Sequence, residues 1–335
     1  MCLLLVGAMK IVGEIIGMDE NDNIWNEFNE VTKQIFKFVN GKKVILWGYG
    51  RSGWFIEHLF KKNHKQIEYI IDDGVLISPK LNIYRSFILN EMDIAAIAVL
   101  IAFPKKQEEL EQLAHYGLKE YVNFIYLGDL FYGEEYKQFP KPLSYYDWLE
   151  YKYHMNILEI KDINHIDKAN NDSLYYSCGV DYGLIDVLDN FCFDDKDAVF
   201  DFGCGKAGAL LLFHKSGIHK IGGAEYDKDL YEIAVENLNR VGISASGLVN
   251  GDAALVKSEL DEYNYFFMYN PFQGETFRQV IKNIESSYGR VHRRITLIYS
   301  GTYCSDYITE DKMFKLSKSI YTDYSVRYVR IYTME

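Results

Sequence analysis

Ala198-Val199-Phe200-Asp201-Phe202-Gly203-Cys204-Gly205-Lys206-Ala207-Gly208 decides how the second half of this 335-residue chain is read. An apolar, strand-like run enters a G-x-G-x-x-G turn, and Ala209 to Lys215 continues as a helical stretch. Tight glycine turns let backbone N–H groups approach a ligand closely at a helix N-terminus. The turn alone would serve a dinucleotide as well as other nucleoside ligands, so the residues around it must discriminate.

Four polar positions do so. Asp201 stands at the strand end two residues before Gly203, where a carboxylate attracts an amino group and repels a pyrophosphate. Ile221 to Glu225 forms a second strand ending in an acid 17 residues past Gly208, placed to accept the hydroxyls of a ribose. Asn250-Gly251-Asp252-Ala253-Ala254 follows a third strand-like run, and Tyr265 to Tyr269 runs into Asn270-Pro271-Phe272. Asp201, Glu225, Asp252 and Asn270 then lie at the C-terminal edge of one parallel sheet, where open α/β sheets bind ligands. An acid after a strand is also a common helix cap, which is the plainer reading of Glu225 or Asp252 taken singly. Cys204, between two glycines, reads as a small filler, since nothing nearby in sequence would activate it.

With these residues in place, the segment from about Tyr175 to the end, nearly half the chain, resembles the class I S-adenosylmethionine-dependent methyltransferases. Asp-x-Gly-x-Gly at 201–205 matches that family's first motif, Glu225 its ribose-binding acid and Asp252 its adenine-binding acid. The resemblance implies S-adenosyl-L-methionine as cofactor, held by Asp201, Gly203, Cys204, Gly205, Glu225, Tyr226, Asp252, Ala253 and Asn270, with Asn270 and Phe272 facing the acceptor. It also implies a seven-stranded sheet with an antiparallel last strand, for which Ser319 to Tyr332, two β-rich runs broken near Ser325, can supply the hairpin. Asn270-Pro271-Phe272 looks like the Asn-Pro-Pro-aromatic motif of amino-group methyltransferases with one proline missing, which leaves the acceptor atom unassigned. Tyr175, Tyr176 and Tyr182 fall where such enzymes often place a lid, although aromatics there are more often core.

Nearer the N-terminus, Gly48-Tyr49-Gly50-Arg51-Ser52-Gly53 follows the apolar run Val44–Trp47 and precedes Asp72 by 19 residues, a second dinucleotide-type fingerprint. Apolar runs at 67–71, 94–103 and 121–127 and helical stretches at 51–62 and 105–116 alternate with it, giving about four strands between Val44 and Gly128. This unit resembles the small Rossmann-like domains of sugar-modifying enzymes. Gly48, Gly50, Arg51, Gly53 and Asp72 would form a second nucleotide site there, with Arg51 on a phosphate and Asp72 or Asp73 on a ribose. A unit kept for packing or dimerisation is an equal alternative.

The fold class is therefore α/β, with two Rossmann-like units. The expected organisation is an N-terminal helical extension at 1–40, the small unit at 41–130, a partly helical connector at 131–177 and the methyltransferase-like domain at 178–335.

Composition bounds the partners. The chain is 48% hydrophobic and 25% charged, with 28 Tyr, 20 Phe and only 5 Pro, as in a compact folded protein. A net charge of −12 with scattered Lys and Arg disfavours nucleic acid, and Arg290, Arg293 and Arg294 read best as a solvated loop. Five Cys make no C-x-x-C pair and no metal spacing, so no metal is expected and a reducing cytoplasm fits best. The apolar start, Met1 to Met18, is broken by Lys10 and Glu14, too short for a membrane span. A small-molecule acceptor, a nucleotide-linked sugar among the candidates, is the favoured substrate. Protein N-methylation and a non-catalytic nucleotide sensor are the rivals, and a homodimer is left open.

Overall fold

A computed structural model describes residues 24–74, 82–105, 107–133, 141–162, 176–179, 181–301, 303–322 and 327–335. The apolar start, Tyr175 and the break near Ser325 lie outside them. After helix α1 (Asn26–Phe38), which buries Phe28, Val31 and Ile35 at helical spacing, the first sheet forms from β1 (Lys43–Trp47), β2 (Tyr69–Ile71), β3 (Ile83–Tyr84), β4 (Ile97–Ile101) and β5 (Phe124–Tyr126). Helices α2 (Arg51–Lys62), α3 (Gln107–His115) and α4 (Leu127–Tyr132) accompany them. The strand order is β3-β2-β1-β4-β5, all parallel. Every residue of β4 is buried, because helices cover both faces, and this is why it reads as an unbroken apolar run.

Several boundaries differ from expectation. The sheet has five strands rather than about four, since β3 pairs over only two residues, too short for any periodicity to reveal. Ile94–Ala96 is a 3₁₀ turn capped by Asp93 rather than strand. Only Phe124–Tyr126 of the run 121–127 pairs, and Leu127 already opens a helix.

Gly53 lies inside α2 against the loop it follows. A Cβ there would stand 2.2 Å from the Gly48 carbonyl oxygen, and neither backbone can yield. Gly53→Ala is therefore expected to cost about 3 kcal/mol, read as a lower urea midpoint.

The second sheet is reached through α5 (Tyr145–Tyr153) and α6 (Asp181–Leu188). It contains β6 (Ala198–Phe202), β7 (Lys220–Glu225), β8 (Leu248–Asn250), β9 (Tyr265–Tyr269), β10 (Ile295–Ser300), β11 (Lys315–Thr322) and β12 (Arg327–Met334). Helices α7 (Gly208–Lys215), α8 (Lys228–Asn239) and α9 (Gly274–Arg290) connect them. The order is β11-β12-β10-β9-β6-β7-β8, with β12 antiparallel to both β10 and β11 and the other neighbours parallel.

One apolar cluster runs through both units, from Trp25 just before α1 and Phe28 on it through Phe55 on α2 and Trp148 on α5 to Leu211 on α7. Polar contacts cross the same seam, between His58 Nδ1 and Asp186 Oδ1 at 2.9 Å and in the ion pair of Arg51 with Asp147 at 3.3 Å. Lys215, at the end of α7, sets its ammonium 4.4 Å from the Trp25 ring and 5.1 Å from that of Tyr145, a cation–π contact in the seam. Burial there, with Lys62 nearby, pushes its pKa down to about 8. Among the described residues no helix is long and apolar enough to cross a membrane.

Candidate functional site

β6 carries Asp201 to the C-terminal edge of the second sheet, and the chain then turns through Gly203 and Gly205 at φ +75° and +52°. These are left-handed conformations that glycine adopts without steric cost. A Cβ on Gly203 would sit 2.5 Å from that of Pro271, and one on Gly205 2.2 Å from the Tyr176 ring. The turn thus needs glycine both for its backbone and for the side chains lying against it.

β7 ends in Glu225, whose Oε2 accepts the Gly205 N–H at 2.8 Å and whose Oε1 accepts the Asp227 N–H at 2.9 Å. The carboxylate is thereby oriented at the mouth of the glycine turn. Asp227 caps α8 through the Leu230 N–H. After β8, Asp252 Oδ1 accepts the Ala254 N–H at 2.9 Å, so the plainer role of helix cap is met by one oxygen of this acid. After β9, Asn270 takes φ +43°, and its N–H donates to the Ser300 carbonyl.

A cleft opens over these strand ends. Asp201, Gly203, Cys204, Glu225, Tyr226, Asp252, Ala253, Asn270 and Phe272 all line it. Gly205 does not: its N–H is already given to Glu225, and the Tyr176 ring lies over its Cα.

Asp201 is the singular group of the cleft. Only 3% of its surface is exposed, yet among the described residues its carboxylate has no hydrogen bond or ion pair. Burial, and secondarily Glu225, hold its pKa well above the ordinary carboxylate range. Glu225 is also raised, chiefly by burial, against the lowering effect of its two backbone donors. Burial likewise pushes the Cys204 thiol well up, which fits a filler and not a nucleophile.

Sequence reasoning placed Tyr176 where a lid would lie but missed the rest of the outer wall. The stretch assigned to a connector returns across the glycine turn: Tyr146 of α5 lines the cleft, and Ile157 lies against Gly208. The Tyr176 hydroxyl donates to the Ile157 carbonyl at 2.7 Å. Lys206, buried inside the glycine motif, donates to Asn156 Oδ1 and to the Glu159 carbonyl. Cys178 and Leu184 close the near side, and Thr322 and Val329 of the hairpin close the far side. Tyr182 instead packs on Phe55 and His58, in the seam between the units.

The first sheet has its own cleft, lined by Gly48, Gly50, Arg51 and Asp72 but not by Gly53. Arg51 turns to Asp147, and Asp72 accepts from the Tyr49 and Gly74 N–H groups, so the two residues matched to phosphate and ribose are engaged within the fold. Arg290 pairs with Asp261, and Arg293 donates to the Tyr263 and Leu260 carbonyls, which gives the basic run a structural task. Among the described residues no acid, His and Cys cluster could hold a metal ion.

Numbered within the second sheet, with β6 as strand 1 and β12 as strand 7, the order is 3-2-1-4-5-7-6 with strand 7 reversed and a cleft over strands 1 and 2, which settles the architecture of the C-terminal half. This is the class I methyltransferase fold. Solved structures similar to it include a mutant of MtNAS in complex with S-adenosylmethionine, at 17% identity and TM-score 0.35, aligned over 46% of this chain and 62% of that one. The alignment thus spans less than two-thirds of that protein. A ribosomal protein L11 methylase from Lactobacillus delbrueckii subsp. bulgaricus is 15% identical with TM-score 0.36, over 46% of this chain and 77% of that one. A TehB-like SAM-dependent methyltransferase from Corynebacterium glutamicum is 16% identical with TM-score 0.35, over 46% and 88%. Neither a family model nor a curated protein matches the chain.

Proposed function

We propose that the cleft of the methyltransferase-fold sheet binds S-adenosylmethionine and that the protein transfers its methyl group to a small-molecule acceptor. The observation that carries this reading is Asp201, a buried carboxylate facing the cleft without a partner beside the glycine turn. A buried acid in that state calls for a cation, and the methionine ammonium would supply one, with Glu225 at the end of the adjacent strand for the ribose. Glu225, fixed by two backbone donors, keeps lone pairs for the ribose hydroxyls. The second oxygen of Asp252 is left for the adenine amino group.

When bound, the cofactor supplies a methyl group already activated by its sulfonium, so the chain's task is to position an acceptor in line with it and to exclude water. Tyr269, Asn270 and Phe272 form the floor on the acceptor side, with Thr276, Ser300 and Thr322 as polar neighbours. Tyr176 roofs the glycine turn, and α6 and the hairpin wall the sides. An enclosure with walls on all these sides favours a small acceptor over the side chain of a folded protein.

Calorimetry with S-adenosylmethionine and S-adenosylhomocysteine tests the binding half of this reading, and product formation with candidate acceptors tests the transfer. Glu225→Ala is expected to weaken both ligands by about 1–3 kcal/mol, the cost of leaving ribose hydroxyls unpaired. Failure of the unaltered chain to bind either ligand would overturn the proposal.

A further inference from the structure

The wall that crosses the glycine turn also reaches the second acidic loop of the cleft. Lys161, just beyond the segment that holds Lys206, places its ammonium 2.7 and 2.9 Å from the two Asp227 oxygens and 3.0 Å from Asp229. Asp227 is fully buried, whereas Asp229 is largely exposed. The Asp227 N–H donates to Glu225 Oε1. Lys161 also exchanges backbone hydrogen bonds with Tyr176, at 3.0 and 3.3 Å, so one residue ties down the roof and the acid-bearing loop together.

Without Lys161, the buried Asp227 carboxylate, which also caps α8 through the Leu230 N–H, would lose a cation while standing two residues from Glu225, and like charge favours protonation of one of the two acids. Asp227 already raises the Glu225 pKa. Cys204, Tyr176 and Asp252 complete the titratable groups around this acid, and Lys161 brings positive charge to it through Asp227.

We infer that Lys161, which lies outside the cleft, is a positioning residue for the adenosyl ligand: by pairing with Asp227 it holds the Glu225 carboxylate ionised and aimed at the ribose. This inference rests on the proposed cofactor reading. Without Lys161, Asp227 keeps its cap to the Leu230 N–H but competes with Glu225 for negative charge.

The test is a double-mutant cycle on S-adenosylhomocysteine binding with the full chain. Lys161→Met is expected to weaken binding about tenfold in the otherwise unaltered protein and by less than about twofold in a Glu225→Gln background. Lys161→Arg should restore it, and the loss in Lys161→Met should shrink as pH rises and Glu225 ionises. Lys161→Gln, which keeps a donor toward Asp227, is expected to lose affinity with the same dependence on Glu225, and it covers the case in which the methionine variant does not fold. An equal loss in both backgrounds, or a lower melting temperature with unchanged affinity, would mean that Lys161 only braces the fold and would overturn the inference. Absence of binding by the unaltered protein would instead sink the cofactor reading.

Discussion

Asp201→Asn is expected to yield a protein that resists unfolding better than the parent and scarcely binds its adenosyl ligand. In the free protein the Asp201 carboxyl is buried, unpartnered and close to Glu225, and burial holds its pKa well above the ordinary carboxylate range. The folded state therefore keeps a proton that the unfolded chain gives up. The stability from that proton is complete at low pH and is lost as pH rises through the raised folded value. Asparagine has no proton to surrender, so the substitution should add about 1–2 kcal/mol near neutral pH and flatten the decline of stability from acid to neutral pH. Binding responds in the opposite direction. A cation in the cleft loses its counter-charge, at about 3 kcal/mol or roughly 100-fold in affinity. Thermal melts across pH with parallel titrations of S-adenosylmethionine read both effects. A variant less stable than the parent at neutral pH would show that Asp201 has a partner in the fold.

Gly205→Ala should bring the second large loss. The new Cβ would meet the Tyr176 ring at 2.2 Å, and the φ of +52° is itself strained for alanine. Together these are expected to cost about 2–4 kcal/mol of stability, because the ring cannot move without breaking the Tyr176–Ile157 hydrogen bond. Pairing the change with Tyr176→Ala should recover the steric part and leave only the backbone strain of about 1–2 kcal/mol. Chemical denaturation of the two single variants and the double variant separates them, and no recovery in the double variant would show that the ring is not what limits this position.

What could be read from the sequence follows the range of the forces involved. Asp201, Glu225 and Asp252 were visible because each is set by local events: an apolar strand, a glycine or a short turn, and an acid at the strand end. A parallel sheet then brings strand ends together whatever the side chains elsewhere. The outer wall was not visible, because its contacts are remote. Arg51 meets Asp147 across 96 residues and Lys161 meets Asp227 across 66. Neither pairing leaves a trace in the spacing of the segments that carry it. Tyr146 belongs to a short helix whose apolar and polar residues are not sorted cleanly by face, so nothing in its pattern singles out the side that looks into the cleft. The same limit applies at Arg51, where a basic residue after a glycine turn reads as a phosphate ligand until a distant aspartate claims it.

The wall supplied by residues 145–162 and 176–179 bears on where this polypeptide can be cut. An excised fragment beginning at the first strand of the second sheet would keep the glycine turn and its acids but lose the roof, with Lys206 left facing solvent in place of Asn156 and Glu159. Gene fusion or exchange that preserved the half-site would have to break the chain before Ser144, whose hydroxyl caps α5. Even there, the severed seam would bare Trp148, Tyr145 and the Lys215 ammonium to water, so the two halves are expected to persist or to be lost as one heritable block.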